Sequence, residues 1–91
     1  MKYQLLFSPR ALNDLNKIKK SGNKSQINKL YKILIELTDH PLVGTGKPEQ
    51  LRHRQGTYSR RLSDKDRIIY SIHDNIVQVN ILQMLGHYND K

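Results

Sequence analysis

The sequence predicts an α+β fold in which two N-terminal helices pack on a four-stranded antiparallel sheet. Three observations predict it. Apolar residues alternate at the start of the chain, recur at helical spacing as far as Asp39, and alternate again from Thr57 onward. A length of 91 residues suits one compact domain, expected to span residues 1–91, and leaves no room for a second.

Tyr3, Leu5 and Phe7 fall on one side of a period-two run, the pattern of a strand with one buried face. Ser8 followed by Pro9 is a helix start: a hydroxyl that can cap free N–H groups, then a proline whose φ is already helical. Ala11, Leu12, Leu15 and Ile18 carry helix one to Lys20, with Ser21-Gly22 as its stop. Asn23 with Gln26 resembles a capping box, and Ile27, Leu30, Tyr31, Leu34 and Leu37 form the stripe of helix two, widened by Ile33 and Ile35, to about Asp39. From His40 to Gly56 no period persists, so this stretch reads as a long loop, a length that in small domains often carries function. Three strands follow, Thr57–Leu62, Arg67–His73 and Ile76–Leu85. A two-residue turn at Asp74-Asn75 would set Ile72 opposite Val77, Tyr70 opposite Val79 and Ile68 opposite Ile81 on the core face. The other face would then carry Arg67, Ile69 and Ser71 with Gln78, Asn80 and Leu82 and stay accessible to solvent.

Sixteen Lys and Arg against eight Asp and Glu give a net charge of +8, which points to a polyanion or an acidic protein as partner. The absence of cysteine excludes a disulfide framework, a thiolate metal site and a Cys nucleophile, and fits a reducing cytosol. The only early apolar run, Leu5-Leu6-Phe7, is far too short for a signal peptide or a membrane span, so a cytoplasmic protein with no membrane partner is expected. Gly44-Thr45-Gly46-Lys47 invites a phosphate-loop reading but fails as a Walker A motif, because prolines at 41 and 48 replace its first glycine and its hydroxyl residue. Four histidines without ligand spacing give no metal site, and no cofactor is expected.

The lysines of the helices read as a solvated face that supplies attraction. The arginines of the loop and strands, Arg52, Arg54, Arg60, Arg61 and Arg67, present planar donor forks suited to phosphate. Arg60 and Arg61 are adjacent in a strand and must face opposite ways. Plain pairing across the loop after Leu62 sets Arg60 beside Arg67, while a bulge or a different loop count substitutes Arg61. Glu49 is the one acid in the basic loop, and His87, next to Gly86 and Tyr88, follows the last strand closely enough to fold back onto the polar face. A carboxylate, cations and an imidazole meet the needs of RNA cleavage without metal: a base for the 2′-hydroxyl, charge for the phosphorane, and an acid for the departing 5′-oxygen.

The string Gly44-Thr45-Gly46-Lys47-Pro48-Glu49-Gln50-Leu51-Arg52-His53, with Tyr58-Ser59-Arg60-Arg61-Leu62, Arg67-Ile68-Ile69-Tyr70 and His87-Tyr88, resembles the YoeB (Txe) toxins of bacterial toxin–antitoxin pairs, in the RelE/ParE superfamily. The resemblance covers nearly the whole chain. It implies a fold of the microbial-ribonuclease type and a ribosome-dependent endoribonuclease that cuts mRNA and inhibits translation. It further implies Glu49 as general base, Arg67 as phosphate stabiliser, His87 as general acid and Tyr88 as a positioning group. Arg61 becomes the second arginine of the site, in contrast to the plain pairing count, with Lys47 and Arg52 as further RNA contacts. The partners it implies are an acidic cognate antitoxin, the ribosome and its mRNA, with self-association into a homodimer left open. The tail Asn89-Asp90-Lys91 extends past the usual His-Tyr end, and the stretch from His53 to Gly56 is one residue short of the pattern. Two rivals are a related toxin fold aimed at DNA gyrase, which would not need Glu49, Arg67 and His87 together, and a non-catalytic RNA-binding regulator of translation.

Overall fold

Ser8 starts the first helix by accepting the Ala11 N–H on its hydroxyl at 3.0 Å, and Gly22 ends it in the left-handed region at φ 72°. The computed structural model, which describes residues 2–52 and 54–86, runs β1 (Gln4–Phe7), α1 (Pro9–Ser21), α2 (Lys24–Asp39), β2 (Glu49–Gln50), β3 (Thr57–Arg61), β4 (Arg67–His73) and β5 (Gln78–Gln83), with a 3₁₀ turn at Asp74–Ile76. Asn23 caps α2 through its side chain. The expected capping box is half made: Asn23 accepts the Gln26 N–H, but its own N–H donates to Ser21 Oγ while the Gln26 side-chain amide donates to Asp66 across the fold. No helix among the described residues is long and apolar enough to cross a membrane.

The five strands lie in the order β1-β5-β4-β3-β2, with β1 parallel to β5 and the other pairs antiparallel. The sheet is therefore mixed and five-stranded, which corrects the expectation of four antiparallel strands. Alternation marks a strand but carries no direction, and two helices separate β1 from the meander, so no hairpin dictates which way it pairs. β2 escapes detection because two residues cannot display a period.

The β4–β5 connection also differs from the two-residue turn. Residues 74–77 form it, with Val77 left-handed at φ 52°, so His73 pairs with Gln78, Ile72 with Val79 and Tyr70 with Ile81. The slip is two residues, and an even slip leaves each side chain on its face. Ile68, Tyr70, Val79 and Ile81 thus face the helices, packed against Ala11, Ile18, Leu30, Ile33 and Leu37, all within 2% of full burial. Leu12, Tyr31 and Ile35, placed on the helix stripes by spacing, are exposed instead. The register shift past Tyr70 sets Ile69 opposite Gln83 and leaves Leu82 as the extra residue of a bulge, opposite no residue of β4.

Candidate active site

Side chains that pair across an antiparallel ladder share a face, and so do residues two apart on one strand. Glu49 pairs with Ser59, Ser59 with Ile69, and Arg61 with Arg67. Glu49, Ser59, Arg61 and Arg67 therefore project together from the face that the helices leave open. Glu49 and Arg61 are exposed and Arg67 is half-buried, its Nη1 donating to Ser59 Oγ at 3.4 Å. β3 separates β2 from β4, and Arg67 sits two residues along from the position opposite Ser59, so the Glu49 and Arg67 backbones lie roughly 12 Å apart, a gap that the two side chains can narrow toward a phosphodiester between them. Like charges directly opposite on a ladder are unfavourable. An anion bridging Arg61 and Arg67 would relieve that cost.

The loop-count alternative is settled by this register: Arg61, not Arg60, stands beside Arg67. The reason lies in the connection, where β3 ends at Arg61 and Leu62 turns into the core at 3% exposure. Arg60 points the other way and is fully buried. Its Nη1 makes an ion pair with Glu36 at 2.6 Å, its Nε donates to the Tyr70 hydroxyl, and its Nη2 donates to the carbonyls of His40 and Val43. Burial pushes the Glu36 carboxyl upward, but hydrogen bonds from the Thr45 hydroxyl and N–H and from Arg60, with the Arg60 charge, outweigh it and hold Glu36 below its ordinary range. Burial raises the Tyr70 phenol, against the opposing pull of Arg60.

This clamp orders the segment that precedes Glu49. Gly46 accepts the Arg61 N–H on its carbonyl at 2.7 Å, and a Cβ there would lie 2.6 Å from the Arg61 carbonyl, so at φ 86° only glycine fits. Lys47 comes next, exposed, and so stands one residue from the contact with Arg61. Arg52 is not brought to this point: it lies past Leu51, whose N–H bonds Thr57 at the far end of β3, beside an open hollow of about 400 Å³ that also takes in Gln50 and Gln55. His87 and Tyr88 lie outside the described residues. The described chain reaches Gly86, whose carbonyl accepts the Arg67 N–H at 3.1 Å. No cluster of three or more His, Asp or Glu with metal-holding geometry occurs among the described residues.

Ser59 and the Glu36–Arg60 clamp were not singled out from sequence. Period two in Ser59-Arg60-Arg61 is enough to set Ser59 with Arg61, whereas the partner of Glu36 lies 24 positions away and leaves no local signal.

The model of the YoeB-like toxins of bacterial type II toxin–antitoxin systems matches residues 7–88. The chain belongs to that family. It is 33% identical over 54 residues to Toxin YoeB of Escherichia coli O6:H1, a stretch covering 58% of this chain and 64% of that relative, just under two thirds of its length. Among solved structures, the YoeB dimer from Staphylococcus aureus superposes with a TM-score of 0.78 at 30% identity, covering 97% of this chain and 100% of that one. The YoeB–YefM complex from the same organism gives 0.74 at 32% identity, with the same coverage. Family membership agrees with the fold seen here, two helices on one face of a mixed sheet.

Proposed function

We propose that this chain, a single domain over residues 1–91, is a ribosome-dependent endoribonuclease that cuts mRNA in the cytoplasm and so acts as the toxin of its pair. The observation that carries the reading is the Arg61–Arg67 couple on an open sheet face, with the Glu49 carboxylate on the strand next to Arg61. Glu49 takes the ribose 2′-hydroxyl proton as that oxygen attacks the adjacent phosphorus. Arg61 and Arg67 hold the charge that accumulates on the phosphorane. His87 gives a proton to the 5′-oxygen as its bond to phosphorus breaks, leaving a 2′,3′-cyclic phosphate, which can open to a 3′-phosphate, and a 5′-hydroxyl. Tyr88 positions the RNA, and Lys47 and Arg52 add attraction for its backbone. The protons and bonds balance with no cofactor.

Partners follow from the charge. A ribosome is a surface of phosphates, so a +8 chain associates with it rapidly, and an acidic antitoxin segment competes for the same face. The Staphylococcus relatives form a dimer in one structure and a complex with YefM in another, which supports an antitoxin partner here and makes self-association worth measuring.

A translating extract with a defined mRNA tests the reading. The wild type is expected to leave 5′-hydroxyl ends, and Glu49→Gln, Arg67→Ala and His87→Gln each to slow cutting by about 10²-fold or more. Uncut mRNA with the wild type, or full-rate cutting by all three variants, overturns it.

A further inference from the structure

The face that bears Glu49, Arg61 and Arg67 continues beyond the arginines as a strip of polar side chains without a carboxylate. Arg67, Ser71 and His73 point the same way along β4, where Ser71 pairs with Asn80 and His73 with Gln78 on β5. Ser71, His73, Asn80 and Gln78 form one hydrogen-bonded chain. The Gln78 amide donates to Asn80 Oδ1 at 2.8 Å, which leaves the Asn80 amide nitrogen toward His73 Nε2 at 3.4 Å, and Ser71 Oγ lies 3.0 Å from the same ring nitrogen. An amide nitrogen can only donate, so the imidazole accepts on Nε2 and holds its proton on Nδ1.

Two polar atoms are left over. His73 Nδ1–H, a donor, and Gln78 Oε1, an acceptor, have no partner among the described residues, and since no buried side-chain N or O atom there lacks one, both stand open to solvent. Beside them the surface turns apolar. Leu6 pairs with Asn80 and is 43% exposed, and with Asn80 and Leu82 it lines a hollow of about 220 Å³. Water could satisfy each polar group on an open face, so the network adds an order that folding does not need. An unstacked nucleobase needs cover for its flat face and a donor and an acceptor for its edge, and Asn80 joins the apolar hollow to both. The Ser71–Asn80 pair lies four residues along β4 from Arg67, about 13 Å, which a short run of extended single strand spans.

We propose that Ser71, His73, Gln78 and Asn80, with Leu6, form a base-binding subsite for the RNA strand whose phosphate sits at Arg61 and Arg67. The inference rests on the reading of that arginine pair as a phosphate site. Phosphate contacts position a strand and carry no sequence information, so the arginines alone leave the protein indifferent to sequence. The strip supplies what they lack, a fixed donor and acceptor that set a preference for one base near the cut.

The test is binding of short 2′-fluoro RNA strands of A, C or U alone, which lack the attacking hydroxyl and stay whole, beside a strand of abasic spacers of equal length. Fluorescence anisotropy over a salt series reads affinity and slope. The wild type is expected to bind one base about 10-fold or more tighter than the abasic strand. His73→Ala and Asn80→Ala bring that base to within about threefold of the abasic strand and leave the salt slope unchanged, because no phosphate contact is lost. Thermal unfolding confirms a folded chain for each, and Gln78→Ala, which removes the acceptor and keeps Ser71 and His73 in place, stands in where either fails to fold. Arg61→Gln with Arg67→Gln weakens every strand alike and flattens the slope. Wild-type binding that is equal for all strands, abasic included, or a base preference that survives in the folded strip variants, overturns the inference and leaves the phosphate site standing. Undiminished binding with an unchanged slope in the double arginine variant removes the phosphate site and this inference with it.

Discussion

Arg61 and Arg67 oppose each other across a ladder with no acidic residue in the pairs between them. Cross-strand like charges destabilise a sheet, so the pairing carries a cost to the fold that a bound anion would offset. Replacing Arg61 by Gln is expected to raise the midpoint of thermal unfolding by roughly 1–2 °C while cutting falls about 10²-fold. Calorimetry beside the extract assay checks both halves, and a variant that loses stability along with activity would show Arg61 to be structural. The neighbouring Arg60 reverses this logic. Period two tells from sequence alone that the two arginines face opposite ways, but the side taken depends on how β3 ends, and that is decided by Leu62 seeking the core.

At the level of elements, the segment from His40 to Pro48 has almost no secondary structure and is held by the Arg60 guanidinium together with the Glu36 carboxylate, the Tyr70 hydroxyl and the Arg61 N–H. Arg60 links α2 through Glu36, β4 through Tyr70, and the loop through the carbonyls of His40 and Val43. Breaking a buried pair strands the remaining charge, although Glu36 keeps 15% of its side chain exposed, which tempers the cost. Arg60→Met is expected to lose about 2–3 kcal/mol in urea unfolding, and Arg60→Met with Glu36→Gln to lose less than the two singly added. The Glu36 carboxyl titrates below its ordinary value of 4.5 in the folded chain, so its contribution is complete above that pH and disappears as pH falls through the lower, folded value. The stability gap between wild type and Glu36→Gln should therefore be constant near neutrality and close only in acid; a gap that closes above pH 5 contradicts the assignment.

Elements also show where sequence reading succeeds and where it stops. Helix ends were legible at Ser8, Gly22 and Asn23 because caps are local chemistry. The faces of β4 and β5 were legible despite a misjudged turn, because a two-residue slip preserves side-chain parity. The direction of β1, the two-residue β2 and the inward turn of Asp14 were not, since each depends on partners far along the chain, as with the 70 positions between Asp14 and Met84. Of the residues named for the site, Glu49, Arg61 and Arg67 project from one face of the sheet, Arg52 lies past Leu51 beyond the end of β2, and His87 and Tyr88 fall outside the described residues.

Across the whole molecule, positive charge is divided between two surfaces. Lys17, Lys19, Lys20, Lys24 and Lys32 are exposed on the helices, on the opposite side of the sheet from Glu49, Arg61 and Arg67. Each phosphate neutralised by a bound protein releases counterions and steepens the fall of affinity with salt, by about 0.7 for a single strand on a log–log plot. Replacing Arg61 and Arg67 with Gln should flatten the slope for binding single-stranded RNA by about 1.4 and abolish cutting. Replacing Lys19 and Lys20 with Gln should slow association with ribosomes at low salt while the single-turnover cutting rate of bound complexes is unchanged. Attraction and chemistry then separate by face. If instead the lysine variants change the bound-state rate, the helix surface takes part in seating the RNA, and the division of labour between the two sides of the sheet fails.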